Sequence, residues 1–479
     1  MKGDFTRDTF QRMKHFSRVL EQQGRVTIDA DRNEQTAILL HYLRMLARDL
    51  IGPCGAPEEK PGFTLKLDKD GNLKIGAGRY YVDGILVENE EECAYIDQPD
   101  YTVPDDDALR APNAQGGKLW VYLDVWERHI TALEDDSIRE KALGGPDTST
   151  RAQVVWQVKA LEVGKDISPA PQPCDLPSGL FTLSTGSMAA RLDPGKMATS
   201  TCVLAPSSKY RGAENHLYRV EIHDGNLLSD AAPTFKWSRD NGSIVTAWLG
   251  TDGDDLLVPD TRGFESAKWV ELSDDDMELQ GRHGWLVGVT KTGDGRLSMD
   301  KDSRPKDFNP SIEQLSNPKV RRWDQNEKEG VPLVNGAVQI KAAAQVPNWI
   351  DLEDGVQVQF STNGKYRTGD YWLILARVGE TEGILEWPVT DDKGPAKPDT
   401  LTAAGVEHHY APLGIVQWIA GKLSIEHCSC EFRPASSCAP QGSGATGDQN
   451  LRLAQKVKVV PKQDPVRETK KQRATKKTK

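Results

Sequence analysis

No stretch of the 479-residue chain approaches the roughly 18 uncharged apolar residues that a membrane-crossing helix needs, so no helical membrane span is expected. The opening Met1 to Asp8 runs into more charge rather than an apolar segment, so no secretory signal peptide is expected and synthesis in the cytosol is. Cysteine is scarce: seven residues, an odd number, argue against a disulfide scaffold and for reduced, mostly structural thiols. Enzyme signatures are missing too. There is no G-x-x-x-x-G-K-[ST] phosphate loop, no G-x-S-x-G elbow, no H-E-x-x-H and no dinucleotide fingerprint between a strand and a helix. Paired carboxylates for glycoside hydrolysis stay open, because the fold and not the sequence sets their spacing. No repeat of 20 to 50 residues appears, which argues against solenoids and propellers.

What is present begins with one helix. Residues 31–51 read as helical, with Asp31 at a capping position and Glu34 three residues on. Leu39, Leu43, Leu46 and Leu50 recur at spacings of four, three and four, and Gly52-Pro53 supplies the stop. The stripe is wide enough to be buried, either under the following sheet or against another subunit; periodicity alone does not separate the two. Strands follow. Residues 63–67 and 73–75 flank an Asp/Gly turn, a second hairpin is joined at Asp83-Gly84, and 119–131 alternates with apolar residues on both faces. Further strands are expected at 152–163, 217–222, 244–249, 269–272, 285–290, 337–340, 356–360, 371–378 and 415–425.

The expected architecture is therefore mainly β (α+β) and multi-module: an N-terminal docking segment and amphipathic helix over 1–52, then antiparallel β-rich modules over 53–110, 111–232 and 233–433. A Ser/Gly/Ala/Pro linker covers 434–450 and a basic disordered tail 451–479. That tail holds eleven basic and two acidic residues. It carries +9 and leaves a body of -20, out of a net -11. It lacks interleaved aromatics, so specific nucleic-acid binding is not expected.

Three groups of residues could carry chemistry. His427, Cys428, Cys430 and Cys438 offer four nitrogen or sulfur donors within twelve residues, but without a paired C-x-x-C knuckle. Asp252 and Asp254 lie in an acidic turn of the kind that chelates calcium weakly, or is simply solvated. His408 and His409 read as structural, hydrogen-bonded histidines. Neither spacing completes a metal site, so no metal and no cofactor are expected. Twelve Trp is a high count, and several stand beside Arg, as in Trp237 with Arg239 and Arg322 with Trp323. Such pairs are enriched at protein interfaces. Sugar-stacking platforms use the same residues, and core packing is the third reading.

Several stretches resemble an uncharacterised bacterial family whose members often occur beside genes for phage tail-like contractile injection particles. They are Met1 to Phe10, His15 to Leu20, Asp29-Ala30-Asp31-Arg32-Asn33-Glu34-Gln35, Tyr218-Arg219-Val220-Glu221-Ile222-His223-Asp224, Phe235-Lys236-Trp237-Ser238-Arg239-Asp240-Asn241-Gly242 and Glu407-His408-His409-Tyr410. The resemblance implies a structural or accessory role in such a particle, at baseplate, fibre or attachment level, with other particle subunits as partners, a homo-oligomeric state, and release in an extracellular particle. It carries no catalytic residues. The interface candidates are Leu39, Leu43, Leu46, Trp237, Arg239, Arg322 and Trp323; the competing expectation is a surface carbohydrate-binding or glycan-cleaving fibre-like protein.

Overall fold

The computed structural model describes residues 1–433 except 111–116, 178–180, 182, 194–209, 228, 307, 309, 328–330, 341–348, 380–382, 391–396, 420–421 and 429. The linker and the basic tail lie outside the described residues.

The structure is mostly antiparallel β, as the alternation predicts, with α1 (Asp29–Ile51) as its one long helix among the described residues. A sandwich is built first. Lys118–Ile130 pairs with Arg151–Glu162 on one side and His409–Ile419 on the other. Val121, Leu123 and Val125 point from it into a core shared with Tyr80, Val82, Ile85 and Val87 of the hairpin Gly78–Val82/Ile85–Asn89. Trp120 and Tyr122 cover its other face, so both faces of the long strand are buried as expected.

A second sandwich stacks a six-stranded sheet, centred on His216–Ile222, Thr234–Ser238 and Tyr371–Arg377, on a four-stranded sheet holding Ser187–Leu192 and Val356–Phe360. Between the neighbouring strands Thr234–Ser238 and Ala337–Gln339 the chain leaves to build a seven-stranded sheet over residues 245–323, with its own core around Trp248, Phe264 and Leu272.

The expected boundaries at 110 and 232 need correction, because strand pairing crosses them. Residues 1–433 form one compact unit. His409–Ile419 returns to the first sandwich, and Glu431–Phe432 runs parallel to Cys54–Pro57, with Ala56 N donating to Cys430 O at 2.8 Å and Glu58 N to Phe432 O at 3.1 Å. The expected strand 415–425 is likewise two, Lys422–His427 folding back on His409–Ile419.

The helix departs from expectation in two ways. Its cap is Ile28, with no side-chain bond; of the expected capping pair Asp31 and Glu34, Glu34 holds the N-terminal arm instead, together with Asp29. Asp29 accepts from Thr6 N and Oγ1 (3.0 and 2.6 Å), and Glu34 accepts from Thr9 Oγ1 at 2.5 Å. The second departure is orientation. Only Ala30 and Ile38 are buried, while Leu39, Leu43, Leu46 and Leu50 are 53, 62, 57 and 77% exposed. The polar side faces the body: Arg44 pairs with Glu127 at 2.8 Å and Arg48 with Asp83 at 3.6 Å. The Asp83-Gly84 turn, with φ of 50° and 83°, presses on the helix so closely that a Cβ at Gly84 would lie 2.0 Å from the Arg44 carbonyl oxygen. Burial of the stripe within the chain, one of the two expectations, does not occur.

Gly84→Ala adds both a left-handed strain of about 1–3 kcal/mol and a clash with the helix backbone. Denaturant unfolding should show a loss of at least that size, with proteolytic cleavage appearing within residues 29–52; an unchanged midpoint would mean that the helix does not rest on this turn.

Candidate functional site

Alternation in two strands creates the site. Tyr218, Val220 and Ile222 enter the second sandwich core, as do Phe235 and Trp237, so Arg219, Glu221 and Lys236 must point the other way. On that side lies the seven-stranded sheet rather than water. Lys236 is 1% exposed and bonds Glu271 at 2.5 Å and Glu221 at 3.4 Å. Arg219 Nε reaches Glu221 at 2.5 Å, and Lys2, delivered by the N-terminal arm, reaches the same carboxylate at 3.1 Å. Glu271 also accepts from Trp323 Nε1 (2.8 Å) and Gly284 N (2.9 Å), and Lys236 sits 4.6 Å from the Trp323 ring centre. Asn241 completes the arm's seat, donating from Nδ2 to the carbonyls of Met1 and Gly3.

Lys2, Arg219, Glu221, Lys236 and Glu271 line a cavity of about 360 Å³. Burial alone would raise the Glu221 and Glu271 carboxyls, but the cations facing them, Lys2, Arg219 and Lys236 at Glu221 and Lys236 and Lys2 at Glu271, outweigh it and hold both well below the usual 4.5. His129, also on the wall, is pulled down to about 4 by burial and by nearby cations including Arg321, and stays neutral.

A neighbouring acidic group, Glu134, Asp275 and Glu278, is already answered by cations. Lys319 touches all three at 2.5, 2.9 and 3.6 Å and Arg128 adds Asp275 at 2.6 Å, so no metal is needed there. His223, Asp224 and His283 form another group able to hold an ion, their ligand atoms lying within 4.8 Å of one another.

The sequence-derived candidates fall differently. Trp237 and Trp323 are 2% and 0% exposed and Arg322 is 7% exposed, so they serve the interior and not a surface. Arg322 is consumed by Asp324 at 2.7 Å, and Arg239, partly exposed, by Glu353 at 2.6 Å and Asp324. The His427 cluster does not converge. His427 is exposed, Cys438 lies outside the described residues, and Cys428 is disulfide-bonded to Cys174, 254 residues away, with Cys430 Sγ at 3.4 Å from Cys428 Sγ. The expectation of reduced thiols is corrected at this pair; Cys54, Cys93 and Cys430 are free. Asp252 and Asp254 do not converge on a cation site either, because Arg296 takes the first at 2.7 Å and Lys301 and Arg304 the second at 2.7 and 2.5 Å. His408 and His409 are structural as read, bonded to Asp124 (2.7 Å) and Asp83 (3.0 Å).

Sandwich, inserted sheet and charged cavity together make up a mostly antiparallel β body. The chain belongs to a family of unknown function, DUF6519, whose model matches residues 1–168 and 180–476 and so takes in most of the basic tail. No curated protein sequence and no solved structure matches it.

Lys236→Met leaves Glu271 buried without its nearest cation and should cost about 3–5 kcal/mol in denaturant unfolding. Adding Glu271→Gln should recover part of that, since the amide oxygen still accepts from Trp323 and Gly284. A Lys236→Met midpoint equal to wild type would show that the lattice carries no stability.

Acid dependence follows from the same groups. Glu221 and Glu271 have depressed values, so their contribution is full above the unfolded carboxylate range of about 4.3 and is lost as pH falls below it. His129, neutral in the fold, loses its contribution as pH drops from 6.5 toward 4. His216, raised chiefly by its bond to Asp240, acts in the opposite sense and gives up its share above 6.5. Melting temperature scanned against pH should therefore peak near neutrality and fall steepest below about pH 4.5; a flat acid limb would contradict the assignment.

Proposed function

We propose that the protein is a structural or accessory component of a multi-subunit particle, of the phage tail-like contractile kind that the N-terminal resemblance implies, and that it assembles through the outward face of α1. The observation that carries this is the leucine seam. Spacings of four, three and four are those of a knobs-into-holes helix pair, and here the seam is exposed while Arg44 and Arg48 pin the opposite side. A soluble body gains nothing from presenting four leucines to water. Burying each fully is worth about 1.5–3 kcal/mol. The occupant that fits is a second helix of the same pattern, α1 of another copy, with Leu40 and Tyr42 flanking the seam on both helices.

The burial of two candidate rings counts against the carbohydrate-binding alternative. Trp237 and Trp323, the rings that would stack on a sugar, are inside the protein.

Leu43→Glu with Leu46→Glu tests the seam, since both side chains are exposed and the body does not depend on them. Sedimentation of the full-length chain should give a dimer or larger species for wild type and a monomer for the variant, with the same melting temperature. A wild-type monomer at tens of micromolar, or a variant that associates as before, would refute self-assembly through α1.

A further inference from the structure

The strand His216–Ile222 ends in His223 and Asp224, and the segment after helix Asp275–Leu279 brings His283 against them. The two imidazole rings lie 4.0 Å apart at 42°, and His283 Nε2 is 2.9 Å from Asp224 Oδ1. Each member is oriented by a partner of its own. His283 Nδ1 donates to the Gly284 carbonyl at 2.9 Å, so Nε2, which hydrogen-bonds Asp224, is the nitrogen that an ion would take, in exchange for the proton shared with that carboxylate. Asp224 accepts from Thr234 Oγ1 at 3.0 Å. Backbone contacts fix the third side, because Gly284 packs so tightly on the neighbouring strand that a Cβ there would meet Leu272 O at 2.3 Å.

One atom in this arrangement has no partner. His223 is 3% exposed, and its Nδ1 is fully buried without a hydrogen bond. An orphaned ring nitrogen normally costs about 1–3 kcal/mol. Two imidazoles and one carboxylate, with ligand atoms within 4.8 Å of one another, form a donor set for which a divalent ion is the natural occupant. Of the nearby cations, Lys236 is already neutralised by Glu271 at 2.5 Å, so it does not stand against a further positive charge.

We propose that His223, Asp224 and His283 bind a divalent first-row transition ion, zinc being the simplest fit to two nitrogen ligands and one oxygen. Three protein ligands leave a fourth position open. Asp224 and His283 are 42% and 38% exposed, so that position faces solvent, and His283 also stands on the wall of the charged cavity. The ion would join the end of a strand in the six-stranded sheet to the turn that precedes strand Trp285–Gly293 of the inserted sheet, fastening the insert at a point where, among the described residues, no strand pair does so. Sequence reading passes over this set because His223 and His283 are 60 residues apart, and because an adjacent His-Asp pair matches no spacing motif.

Full-length protein stripped with chelator and titrated with zinc alone should take up one equivalent at this site. His283→Ala and Asp224→Asn, at partly exposed positions and each checked by thermal melting for an intact fold, should each weaken that equivalent at least about a hundredfold, since loss of a supporting partner alone costs about 10–100-fold. Cobalt(II) provides the second readout: weak visible bands without a strong near-ultraviolet sulfur-to-metal band. Absence of uptake by folded wild type would overturn the proposal. So would uptake that survives both substitutions with a strong sulfur band, which would place the ion on the cysteines.

Discussion

Lys236 is an ammonium group in the protein interior, and much of the molecule is arranged so that it can stay charged there. An isolated ion at that depth costs several kcal/mol, and only close, hydrogen-bonded counter-charges offset it. One counter-charge comes from its own sheet, Glu221, and one from the inserted sheet, Glu271. The insert is therefore held against the six-stranded sheet by charge as well as by packing. Glu221 is in turn shared with Arg219 and with Lys2, so the N-terminal arm is drawn into the same lattice. An apolar contact tolerates sliding of one layer over another. A lattice of directed ion pairs sets a single register.

That lattice explains which parts of the fold were legible in the sequence. Alternation located most strands within a residue or two, since a strand with one apolar face reads the same whatever covers the other. The Asp83-Gly84 turn was legible because positive φ favours those residues. Failure came where polarity was equated with exposure. The strand Thr234–Ser238 is not among the expected strands, and its Trp237, read beside Arg239 as an interface candidate, is buried with every other residue of the strand. Arg322-Trp323 misled in the same way. The Cys174–Cys428 bridge and the His223–Asp224–His283 group share a different obstacle: their members meet only through long-range topology, on which local spacing is silent.

The helix shows the reverse error. Its leucine stripe was legible, and so was the choice between a sheet and another subunit, but the direction of the stripe depends on contacts that pattern does not encode. Arg44 and Arg48 find carboxylates on the body, and the bare Cα of Gly84 lets the backbone come close, so the helix settles on its polar side. An amphipathic helix reports that two environments exist. Which of them the chain itself supplies is decided by where its counter-ions sit.

The parallel pairing of Cys54–Pro57 with Glu431–Phe432 has a mechanical side. The first strand follows α1 along the chain, and the second directly precedes Arg433. Tension applied between the helix and the chain beyond residue 433 pulls these two parallel strands lengthwise in opposite directions. Such a pull loads the bonds Ala56 N to Cys430 O and Glu58 N to Phe432 O, and the Glu58–Arg433 ion pair, together in shear; it does not peel them apart one at a time. A force arriving at the helix and leaving by the C-terminal segment would thus be carried across this short clasp, with the two sandwiches behind it spared.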